Sequence, residues 1–188
     1  MVLFVNACVR PQSRTWRLAK RVLKKLGGVF VEVNLEKEGI MPLTGESLSL
    51  RNSLLEQGAF DNPIFRHAKQ FMAADTIVIA APFWDLAFPA SLKCYLESVC
   101  ISGLSFVYTE SGDVCSCCKA QRLIYVTTSG GPFLNNECGW RYINALSDTF
   151  FGIKEKILVK AENLDIIGAD VEAILSHAET EIENLSFL

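Results

Sequence analysis

The stretch DTIVIAAPFWDLAFPASLKCYLE, residues 75–97, decides how the rest of the chain is read. Its first part, Thr76 to Ala81, is almost unbroken apolar sequence with four β-branched residues in a row. An amphipathic surface strand would alternate. A continuous run is what a strand needs when both of its faces are covered, as in a parallel sheet. Pro82 ends it. Phe83, Trp84 and Asp85 follow, then Pro89, and a helical pattern starts at once. A plain connection asks only for small polar residues, so the large aromatics here point to a ligand wall.

Outward from this unit the same alternation repeats. Before it, VLFVNACV reads as a first strand. SRTWRLAKRVLKKLGG is a helix with Trp16, Ala19, Val22, Leu23 and Leu26 on one face, and VFVEVNL is a second strand. Residues 36–62, rich in Glu, Gly, Ser and Asn, read as irregular; the segment is long for a connection, which makes it functional, interfacial or partly helical. NPIFRHAKQFMAA reads as a helix capped by Asn62 with Pro63 at its first position. After the central unit, LSFVYTESGDVCSCCK reads as a short strand or hairpin excursion and RLIYVTTSGG as a fourth strand. A helix from 139, a fifth strand in GIKEKILVKAEN and a last helix complete the pattern. Strand–helix alternation specifies an α/β, doubly wound parallel sheet with helices on both faces, and five strands suit the order 2-1-3-4-5. Residues 1–188 are expected to form a single domain. Ligands of such sheets bind beyond the carboxyl ends of the strands, so the loops after strands 1, 3 and 4 carry the function.

Composition narrows the class. Half of the 188 residues are hydrophobic and the formal net charge is −3, which gives no reason to expect nucleic-acid or membrane partners. The basic run RLAKRVLKK reads as the solvated face of the first helix. No apolar run approaches the roughly 20 residues that cross a bilayer. Seven cysteines without a regular framework fit a reducing, cytoplasmic location.

The first loop, NACVRPQSRTWRLA, places Ser13 and Thr15 at a helix N-terminus with Arg10 and Arg14 beside them. Unpaired helix N–H groups, the helix dipole and two guanidinium groups suit a phosphate. The plainer alternative is Ser13 as an N-cap with two solvated arginines. Neither G-x-G-x-x-G nor G-x-x-x-x-G-K-[ST] occurs, which disfavours a dinucleotide fingerprint and a P-loop. The second loop is PFWDLAFP. The third, TTSGGPF, offers Thr127, Thr128 and Ser129 hydroxyls, with Gly130 and Gly131 permitting close backbone approach to a flat ligand. Together the loops describe a phosphate pocket, an aromatic wall and a backbone floor.

APFWDLAFPASLKCYLE, GLSFVYTESG and TTSGGPF, in that order and spacing, resemble the flavodoxin-fold family of FMN-dependent NAD(P)H oxidoreductases, the azoreductases and quinone reductases. Its pattern runs P-[MF]-[YW]-N-x-x-x-P-x-x-L-K, G-x-T-F-x-Y-T-x-x-G and T-S-R-G-G. The resemblance implies a flavodoxin-like sheet, an FMN cofactor, NADH or NADPH as donor, and a small-molecule acceptor such as a quinone or azo compound. It also implies a homodimer. Arg10, Ser13, Arg14 and Thr15 fall where the family grips the phosphate. Pro82, Phe83, Trp84, Asp85 and Leu86 fall where its loop runs along the flavin ring. Thr128, Ser129, Gly130 and Gly131 fall on the ring's other side. Because the cofactor carries the redox chemistry, no catalytic side chain is assigned.

The chain departs from the pattern at Asp85, where the family has Asn, at Ser129, where it has Arg, and at Phe133, where Tyr is common. A charged Asp85 beside the ring would disfavour a reduced anionic flavin. Cys115, Cys117 and Cys118 form a C-x-C-C run, with Cys138 further on, rather than the usual C-x2-C knuckle, so no metal is expected. Two other functions remain open: an electron carrier, although such carriers are strongly acidic, and a redox sensor built on cysteines 115–118. His67 and His177 lie outside the three loops.

Overall fold

The computed structural model describes residues 1–134 and 137–186. Five parallel strands form one sheet: β1 (Val2–Asn6), β2 (Phe30–Asn34), β3 (Thr76–Ala80), β6 (Arg122–Thr128) and β7 (Glu155–Ala161), in the order β2-β1-β3-β6-β7. Counted within this sheet, that is the expected 2-1-3-4-5 arrangement. Two further strands, β4 (Phe106–Tyr108) and β5 (Val114–Ser116), form the antiparallel hairpin that interrupts the alternation.

The central strands are apolar throughout because alternate residues face two different cores. Leu3, Val5, Ile77, Ile79, Leu123 and Tyr125 point to one face and pack against α5 (Ala90–Val99) and α6 (Cys138–Leu146), the latter extended by a π-helical turn at Ser147–Phe151. Phe4, Val78, Ile124 and Val126 point to the other, beneath α1 (Arg14–Leu26) and α7 (Val171–Asn184). Every residue of β3 is buried. Each fully buried Ile, Leu or Phe removed from water here contributes roughly 1.5–3 kcal/mol, so these two layers hold the sheet rigid beneath its loops.

Residues 36–62 are partly helical, one of the three readings their length left open. They contain the end of α2 (Leu35–Glu38) and all of α3 (Gly45–Glu56). Thr44 and Ser47 form a reciprocal capping box that starts α3. None of its residues is fully buried; only Leu54 and Leu55 near its C-terminal end lean on the small cluster of Phe65, Ala68 and Ile101. That is why no apolar stripe betrayed it. The helix expected at 62–74 begins as a 3-10 turn, Pro63–Phe65, capped by Asn62 through the N–H of Ile64, before α4 (Arg66–Ala73). No helix among the described residues is long and apolar enough to cross a membrane.

Candidate functional site

At the carboxyl edge of the sheet the β1–α1, β3–α5 and β6–α6 loops converge on a cleft of about 790 Å³, within the roughly 300–1,000 Å³ typical of small-molecule sites. Of the residues singled out from the sequence, Arg10, Ser13, Arg14, Thr15, Pro82, Phe83, Trp84, Thr128, Ser129 and Gly130 line it. Asp85, Leu86 and Gly131 do not.

The first wall is built from the bottom of the sheet upward. Asn6 ends β1, donates to Glu32 on β2 at 2.9 Å and accepts from the N–H of Cys8 at 3.0 Å, which turns the chain outward. Ser13 then caps α1, its hydroxyl oxygen accepting from Trp16 N–H at 3.2 Å. The N–H groups of Arg14 and Thr15 have no acceptor among the described residues. They leave a partly positive helix end open to the cleft. Thr15 and Thr128 hydroxyls meet at 2.6 Å, both residues buried, and so clamp α1 to the end of β6. Cys8 lies in the same loop, but burial pushes its thiol up to about 11, so it remains an inert packing thiol.

The second wall follows β3. Phe83 N–H donates to the carbonyl of Thr128 at 3.0 Å, and Trp84 and Ala87 exchange backbone bonds of 3.2 and 2.8 Å across a two-residue turn. The residues at its tip, Asp85 and Leu86, have φ of 49° and 68°. Two successive left-handed residues make a type I′ turn. Asp tolerates that conformation; for Leu it is an outlier of the kind that gathers at functional sites. The Asp85 and Leu86 side chains point to solvent, while their N–H groups find no acceptor among the described residues. Phe83 is backed by buried Phe133, ring centroids 4.7 Å apart. Phe133 thus props the wall rather than lining the cleft.

A fourth loop, missed from the sequence, also enters. After β7 the chain folds back along the third loop: Ser129 N–H donates to Ala161, Leu164 N–H to Ser129 at 3.1 Å and Asp165 N–H to Gly130 at 2.9 Å. Leu164 and Asp165 therefore line the cleft. The Asp165 carboxylate accepts from Arg14 at 2.7 Å. It also lies against Gly130, where an added Cβ would stand 3.1 Å from the Asp165 Cβ and closer still to its carboxylate oxygen. The close approach that Gly130 permits is thus made by Asp165. Gly131, by contrast, faces open space.

The cysteines stand apart from this cleft. Cys115 and Cys117 are exposed on the hairpin, Cys118 is half-buried with its thiol pushed up to about 11 by burial, and among the described residues no group of three metal-ligating side chains assembles.

The profile described as flavodoxin-like fold matches residues 1–185. The chain belongs to that family. Within this flavodoxin-like family it is similar to FMN-dependent NADH:quinone oxidoreductase 2 of Clostridium acetobutylicum, 37% identical over 186 residues that cover 93% of this chain and 92% of the relative. It is also similar to FMN-dependent NADH:quinone oxidoreductase of Coprothermobacter proteolyticus, 33% identical, covering 98% of this chain and 97% of the relative. Among solved structures, the FMN-dependent NADH-azoreductase from Bacillus anthracis str. Ames Ancestor in complex with FMN superposes with a TM-score of 0.82 at 22% identity, covering 97% of this chain and 95% of that one. At that identity the superposition shows that the two share the flavodoxin-like fold.

Proposed function

We propose that this protein, as one domain over residues 1–188, is an FMN-dependent NAD(P)H oxidoreductase that reduces quinones, azo compounds or similar acceptors in two-electron, ping-pong turnovers. NADH is the favoured donor, because the relatives of over 30% identity carry it in their names. One observation carries the reading. A single cleft holds a helix N-terminus with free N–H groups and two arginines at one side and the Phe83–Trp84 wall at another. That donor set fits a flat ring joined by a polar chain to a phosphate.

FMN, when bound, supplies the redox chemistry, taking a hydride equivalent from the nicotinamide and passing the electrons to the acceptor. The chain's own residues bind and orient. The N–H groups of Arg14 and Thr15, with Arg10, Ser13 and Arg14 side chains, hold the phosphate. Pro82, Phe83 and Trp84 would wall the ring, and Thr128, Ser129 and Gly130 would form its other flank, with Gly131 just beyond the lining. The tip N–H groups of Asp85 and Leu86 are donors for the ring's polar edge. No side chain here needs to move a proton.

The reading includes a cytoplasmic homodimer. Seven free thiols suit a reducing compartment. The shallow depression of about 260 Å³ between Leu43, Leu96, Tyr142 and Phe150 offers apolar surface to a second copy.

The test is direct. The purified protein should be yellow or become so on loading with FMN, bleach with NADH under nitrogen, and recolour with a quinone. A colourless chain that cannot be loaded refutes the reading.

A further inference from the structure

We propose that Asp165 sets the size limit of the cofactor: with Arg14 it bars the phosphate end of the cleft, so that a flavin mononucleotide is admitted and a flavin dinucleotide is turned away. The inference rests on the flavin reading above and assigns a role to a residue that none of the sequence motifs includes.

The bar is built, not incidental. Asp165, on the β7–α7 loop, and Arg14, the first residue of α1, are 151 residues apart in sequence and join at 2.7 Å. Asp165 is fixed there through its backbone, bonded to Gly130, and its neighbour Leu164 is bonded to Ser129. Gly130 has no side chain, and that absence makes the room in which the carboxylate lies. The carboxylate therefore ties the β7–α7 loop to the first residue of α1 at the lining of the cleft.

The two flavins differ at this place. In the mononucleotide the phosphate ends the molecule, so it needs donors and no exit. In the dinucleotide a second phosphate and an adenylate continue from it. That continuation would meet the Arg14–Asp165 crossing sterically, and its second negative phosphate would lie beside a carboxylate. Like charges so placed weaken the wrong ligand selectively. The first phosphate still has the Arg14 and Thr15 N–H groups and the remaining guanidinium donors of Arg14, which has five N–H groups in all.

The experiment is equilibrium dialysis of the full chain and its D165A and D165N variants against FMN and FAD, read by flavin absorbance, with circular dichroism to verify folding. The unmodified chain should prefer FMN. D165A should bind FAD about tenfold tighter, a difference of about 1.4 kcal/mol, and narrow the FMN-to-FAD ratio accordingly. D165N keeps the shape and drops the charge, and should narrow it less. FMN binding with a ratio that D165A leaves within twofold overturns the proposal and leaves the flavin reading standing. If D165A does not fold, an unchanged ratio in D165N overturns it equally. A chain that takes up neither flavin overturns both.

Discussion

Gly130 and Gly131 are adjacent and look alike in the sequence, yet the structure gives them different energies. At Gly130 an added methyl group would stand 3.1 Å from the Asp165 Cβ, nearer still to its carboxylate, and with no positive φ to complicate the exchange. Asp165 must swing away. Its side chain is 69% exposed and that of Arg14 39%, so the ion pair that is lost is a surface pair worth at most about 1 kcal/mol. Strain on the Asp165–Gly130 backbone bond adds a fraction of the roughly 0.5–1.5 kcal/mol such bonds contribute. The G130A variant should therefore lose about 1–2 kcal/mol, which for a chain of this length lowers the melting temperature by about 2–8 °C. At Gly131 nothing lies within 4 Å. G131A should change stability by no more than about 0.5 kcal/mol, or raise it slightly by restricting the unfolded chain. The assay is thermal unfolding followed by circular dichroism on flavin-free protein. Equal losses in both variants, or a larger loss in G131A, would show that Asp165 is not seated on Gly130.

Three further outcomes follow from other parts of the site and its scaffold. T15V should cost about 1–3 kcal/mol by leaving the Thr128 hydroxyl buried and unpaired, whereas T15V/T128V should recover part of that loss; urea midpoints of the full cycle measure it, and additive effects would disprove the clamp. His67 is buried beside Arg66, Glu38 and Tyr95, and desolvation first, then Arg66, lowers its pKa from 6.5. The unfolded chain then binds more protons than the native one as pH falls through the ordinary histidine range, so stability should rise with pH there and that slope should flatten in H67Q; denaturant midpoints at pH 5.5 and 8 report it. Proline cannot adopt the φ of 49° found at Asp85, so D85P should lose more than about 1 kcal/mol and D85N less than about 0.5 kcal/mol; melting temperatures that rank the two alike would refute the turn.

The sheet was legible because its strands are coded twice. Thr76–Ala80 is buried on both faces, and each neighbouring helix starts or stops at a readable signal such as Ser13, Asn62 or Pro89. In segment 36–62 a partly helical character was one of three open readings, and the helix itself could not be placed for a physical reason. A helix that fully buries none of its residues leaves no apolar period, and α3 is started by a Thr44–Ser47 capping box alone. In the cleft, the loops after β1, β3 and β6 were readable from their arginines and hydroxyls at a helix N-terminus, their aromatics and their paired glycines. Asp165 was not. It follows a strand that the switch-point rule does not implicate, and it reaches the cleft only because the β6–β7 pairing continues past Thr128 through Ser129 and Gly130. No local pattern in AENLDIIG encodes that continuation.

Asp85 shows how a residue can be legible as an oddity and still be read for the wrong property. From the sequence its charge drew attention, since a carboxylate beside a flavin would oppose negative charge on the ring. In the structure its side chain is exposed and outside the cleft lining. What the position demands is a left-handed backbone, and Asp is one of the few residues with a side chain that accepts it at little cost. The same demand is satisfied by Asn, the family's residue there, so the departure conserves conformation while changing charge. Leu86 accepts the same geometry at a cost of roughly 1–2 kcal/mol. A chain under no constraint would place glycine there. A strained tip whose side chains face solvent, and whose N–H groups have no acceptor among the described residues, agrees with the donor role proposed for it above. On that account the acid at 85 bears on the shape of the loop rather than on the electronics of what it holds.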